Sequence, residues 1–167
     1  MRDDSAMTPK QRVAMQLLDS ALQMYYANSF FAAIHLAGAA EELFGAYLKL
    51  WNTGRPAAES FHDECIGYLG YGPEDPAPAS VSKQLYRSIF NARNRTKHMH
   101  AEGDHEITFD PLLEAETAID RAMDNFIGVS EVLGIHPTRR MNRFGRDRLS
   151  DKKPVRKPRR AREKLNG

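Results

Sequence analysis

Several features that would assign a protein to a class are missing from this sequence. Its 167 residues include one cysteine, Cys65, which cannot form a disulfide within the chain. No apolar run approaches the roughly 18 residues that cross a membrane, and the first residues lead into no apolar segment of the secretory kind. We therefore expect a protein without disulfides, with no membrane partner, that works in the reducing cytoplasm.

Strand patterns and cofactor motifs are also scarce. The longest alternation of apolar and polar residues covers only 106–109, and no glycine-rich phosphate loop precedes a helix. Glu59 and His62 have the spacing of a carboxylate metal motif, but a di-metal bundle needs that motif twice, with two further glutamates. We predict no bound metal and no cofactor.

Helical periodicity is what the sequence does contain. Apolar residues recur every three or four positions over about 8–27, 29–51, 80–100 and 110–133, with a shorter piece near 61–69, which predicts amphipathic helices. Asp110 and Pro111 are typical of a helix start, and Gly134 of a helix end. The sequence predicts an all-α domain of four main helices, with a short extra helix between the second and third.

The charges are distributed unevenly along the chain. The whole sequence has a formal net charge of +2, but residues 139–167 contain 13 basic and 3 acidic side chains, a net charge of +10. Residues 1–138 therefore have a net charge of −8. Because the basic segment has few apolar residues to bury, we expect a helical domain over 1–136 and a disordered basic tail over 137–167, with at most a transient helix near 139–149.

The densest polar cluster lies at residues 91–100, at the end of the third main helix. It contains three cations and two histidines, and at 100° per residue Asn94 and His98 share one helix face. Metal-independent RNA cleavage needs a base for the 2′-hydroxyl, a cation for the phosphate and an orienting donor. His98, Arg93 and Asn94 provide these three types of group, and His100 is a second candidate base.

The spacing Arg93-Asn94-x-x-x-His98 resembles the R-x(4–6)-H motif of HEPN domains, and residues 33–43 of the second helix are similar to the small-residue helix of many bacterial HEPN-like sequences. The resemblance covers about residues 8–134. It implies an up-and-down four-helix bundle that forms a homodimer and joins two motifs in one cleft. It further implies an endoribonuclease, often a toxin paired with an antitoxin, or a relative that has lost activity and serves in binding or regulation.

Alternative interpretations remain for the same residues. Cations also collect at helix C-termini because they complement the helix dipole. One of Glu41 and Glu42 could pair with Arg93 or Arg95, either to orient the site or to anchor the bundle, and we expect one glutamate to point inward in a structural ion pair and the other to be solvated. The basic tail could bind the phosphate backbone of RNA, dock an acidic partner protein, or fold back on the acidic body. The candidate RNA-binding residues are Arg95, Lys97, Arg139, Arg140, Lys152, Lys153, Arg156, Lys157, Arg159 and Arg160.

Overall fold

The computed structural model describes residues 9–97 and 106–150, and within these ranges the chain is helical and contains no strand. The helices are α1 (Lys10–Tyr26), α2 (Phe30–Trp51), α3 (Ala57–Tyr68), α4 (Ala79–Ile89), α5 (Asn91–Lys97), α6 (Pro111–Leu133) and α7 (Arg139–Leu149). The prediction of an all-α fold is confirmed for this part of the chain. None of its helices is both long and apolar enough to traverse a bilayer.

The hydrophobic core forms where α2 packs between α1 and α6. The core contains Leu18 and Leu22 of α1, Phe44 of α2, and Ile119 and Phe126 of α6, and all five side chains are buried. Phe44 and Phe126 meet edge to face, with ring centroids 5.7 Å apart, an arrangement that aromatic pairs prefer. Helix α2, which packs on both α1 and α6, is therefore the central element.

The boundaries of α6 follow from its end residues. The Asp110 side chain accepts a hydrogen bond from the Leu112 backbone N–H at 2.9 Å, and Pro111 occupies the first turn, where its missing N–H leaves no bond unmade. Gly134 ends the helix with a left-handed conformation, φ 62°, which a residue without Cβ adopts at little cost. The predicted start and end of this helix are confirmed.

The third main helix differs from the prediction. A single helix over about 80–100 was expected, but α4 ends at Ile89 and α5 begins at Asn91. Phe90 lies between them with φ −105° and ψ 11°, although the Asn94 N–H still donates to the Phe90 carbonyl at 3.0 Å. The chain thus bends at the residue before the polar cluster, and α5 approaches α2 while α4 packs on α3.

The expectation of disorder was wrong for residues 139–149, which form α7. The Thr138 hydroxyl accepts a hydrogen bond from the Met141 N–H at 3.3 Å and so caps the helix. Met141 and Phe144, three residues apart on one face, are buried in the core, where Phe144 contacts the Tyr25 ring edge to face at 5.5 Å. The helical body therefore extends to residue 149 and not to 136, because this strongly basic helix buries two apolar side chains at helical spacing in the core.

Candidate functional site

The predicted site lies where α5 packs against α2. Three residues of α2 with helical spacing, His35, Gly38 and Glu42, face this contact, and Arg93 and Thr96 of α5 meet them. His35 and Glu42 are seven residues apart, about two helical turns, so the helical repeat places both on this face of α2.

Arg93 is held on several sides. Its Nη1 lies 2.5 Å from Oε1 of Glu42, and its guanidinium carbon lies 5.2 Å from the centroid of the Phe90 ring. A Cβ added to Gly38 would lie 2.8 Å from Cδ of Arg93, so the glycine leaves the space that the arginine occupies. The Arg93 side chain is 20% exposed, and its guanidinium is consequently both fixed and in contact with solvent.

A second ion pair lies beneath the first. The Arg121 Nε of α6 donates to Glu41 Oε1 at 2.9 Å, and the Arg121 guanidinium lies 5.7 Å from the same Phe90 ring. Burial raises the pKa of Glu41 above its ordinary value, although Arg121 opposes that shift. Two adjacent glutamates therefore pair with two arginines, and both guanidinium groups lie near the Phe90 ring.

Glu41 and Glu42 differ in burial, and each pairs with a different arginine. Glu41 is buried, 3% exposed, and holds Arg121, whereas the exposed Glu42 holds Arg93. The outcome agrees with the interpretation that one glutamate points inward and the other outward. Glu41 Oε2 and Arg93 Nε are both buried without a hydrogen-bond partner in the described part of the chain.

Asn125 fixes the α2 backbone at the inner ion pair. Its Nδ2 donates to the Glu41 carbonyl at 2.9 Å, and its Oδ1 accepts from the Ala57 N–H at 2.7 Å. Asn125 is 1% exposed, and both ends of its amide are satisfied. It thereby joins α6, α2 and the start of α3, as a buried polar side chain with two partners is able to do.

His35 and Thr96 link the other end of the site. The Thr96 hydroxyl donates its one hydrogen to the Ala92 carbonyl at 2.9 Å. The hydroxyl oxygen therefore accepts a hydrogen bond from Nε2 of His35, at 2.8 Å. Burial, then the nearby Lys97 and Arg93, lower the pKa of His35 below its usual range. His35 is consequently neutral at pH 7 and sits among cations.

The remaining predicted site residues have different environments. Asn94 and Lys97 are exposed on α5, while Arg95 donates to the Thr108 hydroxyl at 3.0 Å and to the Glu106 carbonyl at 3.3 Å. Arg139 is exposed at the start of α7, and Arg140 forms an ion pair with Asp19. The predicted residues that lie outside the described part of the chain are His98, His100, Lys152, Lys153, Arg156, Lys157, Arg159 and Arg160.

Several basic residues of α7 pair with acidic residues. Arg148 contacts Glu116 at 3.1 Å and Asp120 at 2.6 Å, and Arg140 contacts Asp19 of α1. The Arg143 guanidinium lies 3.8 Å from the centroid of the Tyr26 ring. Among the alternatives for the basic segment, folding back on the acidic body is therefore observed for residues 139–149.

No cluster of three or more metal-ligating side chains occurs in residues 9–97 and 106–150. Glu59 instead forms ion pairs with Lys49 and with Arg55, and His62 makes separate contacts with α4. Comparison of the chain with protein-family models, with curated proteins and with solved structures found no match.

Proposed function

We propose that this protein is a metal-independent endoribonuclease with a HEPN-like fold that acts as a homodimer in the cytoplasm. In this proposal the up-and-down bundle consists of α1, α2, the α4–α5 pair and α6, with α3 as the short insert. Helix α7 is an additional helix outside that four-helix bundle. The RNA-cleaving site lies on α5 and the residues that follow it.

The chemistry divides among four side chains. His98 removes the proton from the attacking 2′-hydroxyl and returns a proton to the leaving 5′-oxygen, with His100 as a second candidate for the same role. Arg93 stabilises the charge that develops on the phosphate, and Asn94 orients it by hydrogen bonding. Arg95, Lys97 and Arg139 hold the RNA backbone, together with the basic residues beyond 150.

The observation that carries this proposal is the placement of Arg93. An arginine that merely complements a helix dipole needs no support from another helix, whereas Arg93 is held by Glu42, the Phe90 ring and the space above Gly38. A guanidinium held in one place before the substrate arrives loses less entropy when it binds phosphate. Support of this kind is what an anion-stabilising residue requires.

RNA cleavage in EDTA tests the proposal. The wild-type protein is incubated with single-stranded RNA beside three variants: Arg93→Ala, His98→Ala, and Lys83→Ala as a control that removes an exposed cation of α4. We expect Lys83→Ala to cleave like the wild type and the other two to lose at least 100-fold in rate. Cleavage at equal rates by all four proteins, or none by the wild type, would contradict the proposal. Sedimentation equilibrium tests the dimer.

The second candidate function is a non-catalytic module that dimerises or docks a partner protein, such as an antitoxin, and contacts nucleic acid through its basic segment. The pairing of Arg93 with Glu42 favours it, because a compensated arginine has less charge to offer a phosphate. In that case RNA binds without being cleaved. The affinity for RNA then falls steeply as the salt concentration rises. Arg93→Ala and Lys83→Ala should lower that affinity by the same factor.

A further inference from the structure

Ser82, His62 and Asp63 form a hydrogen-bonded chain on the side of the molecule where α3 meets α4. His62 Nε2 lies 2.9 Å from the Ser82 hydroxyl oxygen, and His62 Nδ1 lies 3.2 Å from Oδ1 of Asp63. A hydroxyl, an imidazole and a carboxylate linked through opposite ring nitrogens are the three parts of a nucleophilic serine site. None of the three belongs to the Arg93 site.

The imidazole is held in a fixed orientation. His62 is 7% exposed, and its ring lies flat against that of Tyr86, with centroids 4.0 Å apart and an angle of 14° between the planes. Tyr86 is one helical turn after Ser82 on α4, so a single helix supplies both the hydroxyl and the stacking ring. The Tyr86 ring covers one face of the imidazole, and the Asp63 carboxylate contacts its Nδ1 edge.

All three groups line one cleft of about 440 Å³. The rest of its wall is mainly apolar, with Ile66, Tyr71, Pro76 and Ala77 among the lining residues. A volume of this size accepts a small molecule, and the apolar wall suits a short hydrocarbon chain. Ser82 lies in the first turns of α4, whose positive dipole end favours negative charge on a nearby oxygen.

We propose that this cleft is a second active site, which hydrolyses small carboxylic esters with a short apolar acyl chain. The Ser82 oxygen attacks the ester carbonyl carbon while its proton moves to His62 Nε2. The carbon–oxygen bond to the alcohol then breaks, and the alcohol leaves with the proton from His62. Water attacks the acyl-serine in the same way, releasing the carboxylic acid and restoring the Ser82 hydroxyl.

Asp63 and Tyr86 are positioning residues in this scheme. Asp63 accepts from His62 Nδ1–H, so that Nε2 is left unprotonated toward Ser82, and Arg55 forms an ion pair with the other oxygen of Asp63. Tyr86 blocks rotation of the ring out of this plane. Together, Asp63 and Tyr86 hold His62 with its Nε2 directed at Ser82, which lines the cleft.

A fluorophosphonate probe tests the site in the full-length protein. Such a probe phosphonylates an activated serine, fluoride leaves, and peptide mass spectrometry identifies the labelled residue. We expect Ser82 to be labelled and Ser82→Ala to lose the label. Ser80→Ala, which removes an exposed hydroxyl two residues away, serves as the control and keeps full labelling. Hydrolysis of p-nitrophenyl butyrate should follow the same pattern.

Variants of the base and of its carboxylate separate chemistry from structure. His62→Gln should slow labelling at least 100-fold, while Asp63→Asn slows it and Asp63→Glu restores part of the rate. If His62→Gln does not fold, the labelling rates of Asp63→Asn and Asp63→Glu test the proposal instead. No label on Ser82 above that on Ser80, or equal rates in Asp63→Asn and wild type, would overturn the proposal. Because Arg93→Ala leaves this site intact, loss of RNA cleavage and loss of labelling are distinguishable.

Discussion

Glu42 on α2 and Arg93 on α5 lie 2.5 Å apart, Oε1 to Nη1, and this ion pair connects the bundle core to the bent third helix. Glu42 is exposed while the Arg93 side chain is 20% exposed, so the pair lies at the protein surface with one member partly enclosed. Surface pairs of this kind contribute little to stability. Its main effect is on how much positive charge Arg93 offers to a ligand.

Replacing Glu42 with glutamine should therefore strengthen RNA binding. Loss of a carboxylate about 4 Å from a bound phosphate removes roughly 1 kcal/mol of repulsion at water-like screening, or about a fivefold change in Kd. Fluorescence anisotropy with a short labelled RNA in EDTA measures it. Glu131→Gln, which neutralises an exposed carboxylate in the last turn of α6, is the matched control. Equal affinities of the two variants would show that Arg93 does not contact phosphate.

Gly38→Ala should impair RNA cleavage without unfolding the protein. The new Cβ would lie 2.8 Å from Cδ of Arg93 and 3.1 Å from its Nη1, so the guanidinium must move, and displacement of a positioning group by about 1 Å can cost on the order of 100-fold in rate. Alanine also favours a helix over glycine by about 0.5–1 kcal/mol. Helix stability therefore offsets the crowding, and we expect the free energy of unfolding to change by less than about 1 kcal/mol.

Gly67→Ala is the control for that substitution, because nothing lies within 4 Å of its added Cβ. It should leave cleavage unchanged and stabilise α3 slightly. Cleavage rates and urea unfolding curves of both variants give the comparison. If Gly38→Ala cleaves RNA as fast as Gly67→Ala, the position of Arg93 is irrelevant to the reaction.

Acidification should destabilise the protein through His35. Burial, Lys97 and Arg93 lower the pKa of His35 in the folded state, whereas the unfolded chain titrates near 6.5. The unfolded state therefore takes up a proton first, and this contribution to stability is complete above pH 6.5 and declines as the pH falls toward the folded-state pKa.

Urea unfolding at pH 7.5 and 5.5 measures that effect. We expect the loss of stability between the two pH values to be smaller in His35→Gln, whose amide nitrogen takes nearly the position of the imidazole Nε2 and can still donate to the Thr96 hydroxyl. His136→Gln, at an exposed position after α6, should keep the wild-type loss. An unchanged pH dependence in His35→Gln would show that His35 is protonated equally in the folded and unfolded states.

Phe144→Ala should destabilise the protein by about 3 kcal/mol, in the range for truncating a buried aromatic side chain. The Phe144 side chain packs on Tyr25 and holds α7 on α1. Leu149→Ala, on the same helix but 92% exposed, should change stability by less than about 0.5 kcal/mol. Urea denaturation followed by circular dichroism gives both values. Similar values for the two variants would mean that α7 does not contribute to the cooperative core.

The helical class and most helix boundaries could be predicted because they depend on local chemistry. The Asp110 cap, Pro111 and Gly134 define α6 through contacts within a few residues of the chain. The bend at Phe90 and the docking of α7 depend on contacts with distant helices. In residues 139–149 the arginines dominate the composition, and the decisive residues are the two apolar ones that meet Tyr25 and the core.

For the candidate sites, the sequence alone determined which chemical groups are present and, through the helical repeat, which of them share a face. Arg93 and Asn94 were predicted as site residues in this way. The tertiary structure decided the partners: Glu42 for Arg93, Arg121 for Glu41, and Ser82 for His62. The physical reason is that helical periodicity arises from backbone hydrogen bonds over four residues, whereas ion pairs between helices depend on how side chains 20 to 80 positions apart pack together.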